Sequence, residues 1–178
     1  MRDSAGTYRR IPCLVIILAM IAFGKISTAQ VYPIQVSTQL TPPYTPYLTD
    51  YTSPGSQRLM VQLTANDVSI SNYQCRFRIT IDGVGITIRT KQNFVPQATT
   101  FYGGGAPQIL YGEDLLEYFN PNNLDFSGLS RSEFVKTGKL PEGIYRFTIE
   151  VLDYNRGVVV SNKRFDRSLD HIERSTLT

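Results

Sequence analysis

Apolar and polar residues alternate through much of the chain between positions 30 and 162, and a period of two predicts β-strands. In residues 74–82, Cys75, Phe77, Ile79 and Ile81 share one face, and Arg76, Arg78, Thr80 and Asp82 share the other. That is the pattern of a strand buried on one side. The turn pair Asp82-Gly83 follows, and residues 86–91 alternate again, which predicts a hairpin with positive φ at Gly83 and Gly85. Leu59, Val61 and Leu63 mark another strand, closed by Asn66-Asp67. Residues 31–40 predict a further strand, held to a sheet edge by Pro33. Near the C-terminus Tyr145, Phe147, Ile149 and Val151 line up on one face, leaving Arg146, Thr148 and Glu150 for solvent. Asn155-Arg156-Gly157 then turns the chain into a partner strand over residues 158–162. Six or seven such strands, mostly joined by hairpins, predict an all-β, antiparallel immunoglobulin/fibronectin-like β-sandwich.

The stretches between the strands carry other signals. Pro42, Pro43, Pro46 and Pro54 block both ladder and helix, so residues 41–55 predict an extended loop. Gly103, Gly104 and Gly105 suit a loop leading into a short strand at Gln108–Tyr111. Residues 112–119 suit one or two helical turns with acids at their start, and residues 120–128 carry turn chemistry. Ser130 and Glu133 stand at capping-box spacing and Gly138 suits a stop, which together predict a helix over Arg131–Thr137. One or two short helices are thus inserted between strands of a single domain, residues 30–163.

The N-terminus changes the charge balance. Arg2, Arg9 and Arg10 precede an apolar run over residues 11–23, and Ser27-Thr28-Ala29 supplies small residues before Gln30. This is the layout of a cleaved secretory signal peptide, residues 1–29. The apolar run is shorter than the ~20 residues a spanning helix needs. The chain has 18 basic and 15 acidic residues and a formal charge of +3. Arg2, Arg9, Arg10 and Lys25 fall in the leader against Asp3 alone, so the remainder is formally neutral. With no Lys/Arg cluster in it, that remainder gives no nucleic-acid footprint. It also keeps only Cys75 of the two cysteines, on a strand's apolar face. A buried inert thiol and a bridge between chains are the two readings there.

Candidate chemistry is sparse. The single histidine, His171, lies in a polar tail over residues 164–178. A zinc site needs more ligands than that, and a nucleophile elbow is missing, so the expectation is a protein without enzymatic activity or cofactor. The loop at Asn120, Asn122, Asn123 and Asp125 offers oxygen ligands, yet lacks the acidic spacing of a strong calcium motif and reads as a turn. Glu113, Asp114 and Glu117 read as helix-start charge. Tyr44, Tyr47 and Tyr51 of the proline loop, with Tyr102, are the candidate contacts for a partner or ligand. The alternative is that the loop folds over a sheet edge and buries its rings. Tyr145, after the turn at Pro141-Glu142-Gly143, takes the place of a tyrosine corner, its hydroxyl returning to backbone.

The blocks "LTPPYTPYLTDY", "RITIDGVGITIRTK", "YFNPNNLDFSG" and "KTGKLPEGIYRFTIEVLDY" together resemble the TANFOR domain of Bacteroidota surface and secreted proteins. The resemblance covers residues 35–162, with the blocks in the family's order. It implies a fibronectin/immunoglobulin-type module of large exported envelope proteins, many tied to gliding or type IX secretion, with no catalytic activity or cofactor. The chain departs from the family at Thr148, where relatives carry a strand cysteine able to form a disulfide. It departs again in the tail, where they continue with an apolar strand. A sheet one strand short would leave an edge open to a partner strand. The expected function is therefore a secreted structural or interaction module at the periplasm, outer-membrane surface or cell exterior, contacting other envelope or outer-membrane proteins. Two further readings stay open: a carbohydrate-binding module stacking sugars on exposed tyrosines, and an exported fragment without function of its own.

Overall fold

Strand pairing in this protein is organised around one long strand. The computed structural model describes residues 32–161; the expected signal peptide over residues 1–29, His171 and the expected polar tail over residues 164–178 lie outside them. The strands are β1 (Ile34–Leu40), β2 (Leu59–Ala65), β3 (Ser71–Gly83), β4 (Ile86–Thr90), β5 (Thr99–Gly103), β6 (Gln108–Tyr111), β7 (Leu124–Ser127) and β8 (Arg146–Asp153). They form two antiparallel sheets, one ordered β1-β2-β6 and one ordered β5-β3-β4-β7 with β8 also on β3. One core joins them: Val36, Leu59, Val61 and Leu63 from the first sheet meet Phe77, Ile79, Ile88 and Val151 from the second. The fold is an all-β sandwich with short helices between strands.

The alternation in β3 is realised as expected on one face, where Cys75, Phe77, Ile79 and Ile81 are all buried. Cys75 has no exposed surface, and burial pushes its thiol up to about 12. The thiol is therefore protonated at neutral pH. Native protein should react with a disulfide reagent at least ~1000-fold more slowly than urea-unfolded protein. Equal rates in stopped-flow measurements would contradict this packing.

The other face of the same sheet is less open than its polar residues suggest. Thr80 and Glu150 are buried, at 7% and 4% exposure. Glu150 is thus not the solvent-facing charge the alternation predicts; its Oε2 accepts from Arg78 Nε at 2.6 Å. Period two assigns a face, but not what covers it. The β3–β4 hairpin turns at Val84-Gly85 rather than at Asp82-Gly83. Gly83 pairs with Ile86, and of the two glycines only Gly85 has positive φ. Gly83 serves a different purpose: a Cβ there would come within 2.5 Å of the Tyr145 ring. Tyr145 is 2% exposed and its hydroxyl donates to Pro141 O at 2.9 Å, so ring and turn are fixed together.

Several irregular stretches hold more structure than the sequence suggests. The proline loop is not extended throughout: α1 (Thr49–Thr52) forms between Pro46 and Pro54, far enough from each ring to close one turn. Residues 99–103 and 124–127, read as loop and turn, are the short strands β5 and β7. Residues 112–119 form a 3-10 helix, and α2 (Arg131–Thr137) has the expected cap, Ser130 accepting from the Glu133 amide and Gly138 left-handed at its end. Conversely, residues 158–161 do not make the regular strand expected there. They bridge β8 and β1: Val160 N donates to Val151 O, and Ile34 N donates to Val160 O. The segment divides its bonds between the two sheets and pairs only as isolated bridges at Val159 and Ser161. It nevertheless occupies the edge of β8 from Val151 to Asp153. The turn before it is clamped by Asp153, whose carboxylate accepts from Tyr73 Oη at 2.6 Å and from Arg156 Nη2 at 3.0 Å. Those bonds, Arg156 foremost, hold the Asp153 carboxyl well below the usual range. The stability they confer is present above the ordinary carboxylate pKa and is lost only in strong acid.

Candidate functional site: an apolar groove with an acidic wall

Three short helices at one end of the sandwich, α1, the 3-10 helix and α2, enclose a groove of about 770 Å³. Its floor is made by Leu48, Phe119 and Phe134, all buried. Its lips are Leu116 and Val135, each 56% exposed. The local sequence explains both. Leu115-Leu116 and Phe134-Val135 are adjacent apolar pairs on short helices, and neighbouring helical positions point in directions ~100–120° apart. Leu115 and Phe134 take the core, so Leu116 and Val135 are left outside.

Glu113, Asp114 and Glu117 stand along one wall. Asp114 Oδ2 accepts from the Tyr111 amide at 2.8 Å and caps the 3-10 helix. Glu113 Oε2 accepts from the Gly55 amide at 2.9 Å and ties that helix to the proline loop. The close seat of the loop is visible again at Gly112, where a Cβ would come within 1.7 Å of Tyr51 O. The wall thus has a structural duty as helix-start charge, and it also gives the groove a negative side.

The tyrosines separate into different roles. Tyr51 is wholly buried; its hydroxyl donates to Thr45 O at 3.0 Å and accepts from Thr45 N at 2.9 Å. It pins the proline loop to the core and leaves the candidate contact surface. Tyr44 is half-buried and packs against the core. Tyr47 is 43% exposed, precedes Leu48 of the groove floor and bridges to Lys139 beyond α2. Tyr102, 66% exposed, stands on β5, where its amide meets Gln108 at the start of β6. The proline loop packs at the far end of β6, against Gly112, about four strand residues or ~13 Å away. The four rings therefore do not form one platform.

The turn at Asn120–Asn123 uses its side chains internally. Asn120 Oδ1 accepts from the Asn122 amide at 3.0 Å, and Asn123 Nδ2 donates to Glu117 O at 2.8 Å. Among the described residues there is no group of three or more His, Cys, Asp or Glu arranged to hold a metal ion. Nor is any helix of the described residues long and apolar enough to cross a membrane. What the groove offers is contact area and negative charge. Sequence reasoning missed it, although the two adjacent apolar pairs were its available signal.

No protein-family model, curated protein or solved structure matches the chain, so the TANFOR resemblance rests on its motifs alone.

Proposed function

We propose that this chain is a non-catalytic interaction module of an exported envelope assembly, an immunoglobulin/fibronectin-like sandwich of the TANFOR type. The observation that carries the reading is the helical groove. Two large apolar side chains, Leu116 and Val135, are held outward over a buried apolar floor, beside three carboxylates. Exposed apolar groups gathered at a concave site mark contact surfaces, whereas scattered ones carry no such message. The occupant that fits is an extended or helical segment of another envelope protein with apolar side chains and a flanking lysine or arginine. Its cation would meet Glu113, Asp114 or Glu117 at the rim, where charge governs orientation and association rate. The leader-like N-terminus and the four family-like blocks support the exported setting, and the Tyr145–Pro141 bond supports the sandwich type.

A leucine/lysine peptide labelled for fluorescence anisotropy tests the groove, with a leucine/glutamate peptide as its opposite. The lysine peptide is expected to bind and the glutamate peptide to be excluded. Leu116→Asp should weaken binding about tenfold, the loss expected when an apolar contact at the groove's lip is replaced by a charge. Val84→Asp, on the β3–β4 hairpin outside the groove lining, where Val84 is 93% exposed, should leave it unchanged. Equal binding of both peptides, or equal loss in both variants, would defeat the reading.

A further inference from the structure

A second concavity lies on the outer face of the larger sheet and shares no lining residue with the helical groove. Its volume is about 470 Å³, and its walls bring together Arg76, Arg78, Arg89, Lys91 and Arg156. Sequence order hides this gathering. Arg76 and Arg78 come from β3, Arg89 from β4, Lys91 from the residue after it, and Arg156 from the turn after β8.

The concavity arises from a gap in the sheet. β8 pairs with β3 over residues 75–82, so both β5, on residues 71–75, and β4, on residues 80–83, lie along the opposite edge. Between them no strand of the described residues pairs with β3 on that side. The side chains of Arg76 and Arg78 project from this stretch on the outer face, in register with Leu152 and Glu150 of β8.

Two of the five cations are neutralised within the fold, Arg78 by Glu150 at 2.6 Å and Arg156 by Asp153 at 3.0 Å. Arg76, Arg89 and Lys91 have no carboxylate within 4.0 Å among the described residues, although Asp125 of β7 stands in register with Arg89. Counting that aspartate, the site keeps an excess of positive charge. Arg76 is the more telling residue. Its Nη1 donates to Phe94 O at 3.2 Å, but its Nε is buried and has no acceptor among the described residues. A buried donor without an acceptor is unfavourable, and more so on a charged group. Like charges gathered in one concavity add repulsion. An oxyanion with two or more acceptor oxygens would relieve both, because the guanidinium fork matches carboxylate, sulfate and phosphate geometry.

We infer that this concavity, built from Arg76, Arg89 and Lys91 on the outer face of the β3–β4 region, is a binding site for an oxyanion group carried on a small polar molecule. The positive charge is local. Further along the same face the residues are Thr80, Thr148 and Asp82, the last opposite Arg146. A polynucleotide, which needs a track of cations along its backbone, finds none.

Isothermal titration of the purified chain at low ionic strength, with methyl phosphate, methyl sulfate and glucuronate, distinguishes the sources of the oxyanion; glucose and sodium chloride are controls. At least one of the three anions should bind while both controls fail, and the tightest names the group. The Arg89→Gln/Lys91→Gln variant, whose melt by circular dichroism checks folding, should bind it at least tenfold more weakly. Arg58→Gln, a cation elsewhere paired with Asp50, should not change it. Absence of binding by all three anions, equal weakening in both variants, or binding of a DNA duplex alone would overturn the site.

Discussion

Replacing Arg78 by alanine should destabilise the protein by about 3 kcal/mol, among the largest losses expected from any polar substitution in it. Arg78 and Glu150 face each other in register across β3 and β8, with Thr80 opposite Thr148 on one side and Arg76 opposite Leu152 on the other. The glutamate side chain is 6% exposed and the arginine side chain 35%. The two ends of the pair are thus unequally placed. Water can solvate part of an arginine left alone, but it reaches little of the carboxylate. Removing the cation leaves a buried negative charge that has lost its 2.6 Å guanidinium bond, whereas Glu150→Gln keeps a neutral, hydrogen-bonding group and should cost less, about 1–2 kcal/mol. The double variant Arg78→Met/Glu150→Leu removes both charges and should recover most of the loss. Urea melts of the wild type and the three variants test this. If Arg78→Ala and Glu150→Gln lost the same amount, and the double variant recovered none of the loss, the two groups would not act as a pair.

This pair also marks where the sequence stops being informative. Alternation in residues 74–82 and 145–151 placed Cys75, Phe77, Ile79, Phe147 and Val151 correctly, because burial on one face of a strand imposes period two directly. The same alternation sent Glu150 to solvent, since it cannot register that Arg78 stands beside it. Ser130, Glu133 and Gly138 announced α2 through local bonds, which involve only neighbours in the chain. β5 and β7 were illegible for the converse reason. Each is only four or five residues long and is held by partners far away in sequence, on β3 and β4. The segment 158–161 carries strand-forming valines, but its bonds divide between two sheets. The helical groove was half legible. Leu115-Leu116 and Phe134-Val135 say that something apolar must face out, but nothing in their spacing says that both face the same hollow. The basic concavity was invisible, because its five cations come from three separated segments and residues 30–178 together are formally neutral.

The second large effect concerns the gap in the sheet beside those cations. Tyr118→Ala should destabilise the protein by about 3–5 kcal/mol, and Tyr118→Phe by about 1–3 kcal/mol. Between β5 and β4, the β3 amides on the open side have no strand to bond with among the described residues. Two side chains take that role: Tyr118 Oη accepts from the Phe77 amide at 3.1 Å, and Thr90 Oγ1 accepts from the Ile79 amide at 3.0 Å. Tyr118 is 1% exposed, and its ring packs edge-on against Phe77 and Phe94, with centroids 5.7 and 5.6 Å away. Desolvation by burial raises the phenol above its ordinary value, so it remains a neutral donor and acceptor throughout the usable pH range. The phenylalanine variant keeps the ring contacts and strands one buried amide; the alanine variant also opens a cavity under the sheet. The difference between them separates hydrogen bonding from packing. Thr90→Val, a similar shape without the hydroxyl, should lose about 1–2 kcal/mol by the same mechanism. Hydrogen exchange supplies the local readout: in Tyr118→Phe the Phe77 amide should exchange faster relative to global unfolding, while amides between β3 and β8 should not. Uniform acceleration of all β3 amides would mean that Tyr118 acts through overall stability alone and that the strand gap is closed by something else.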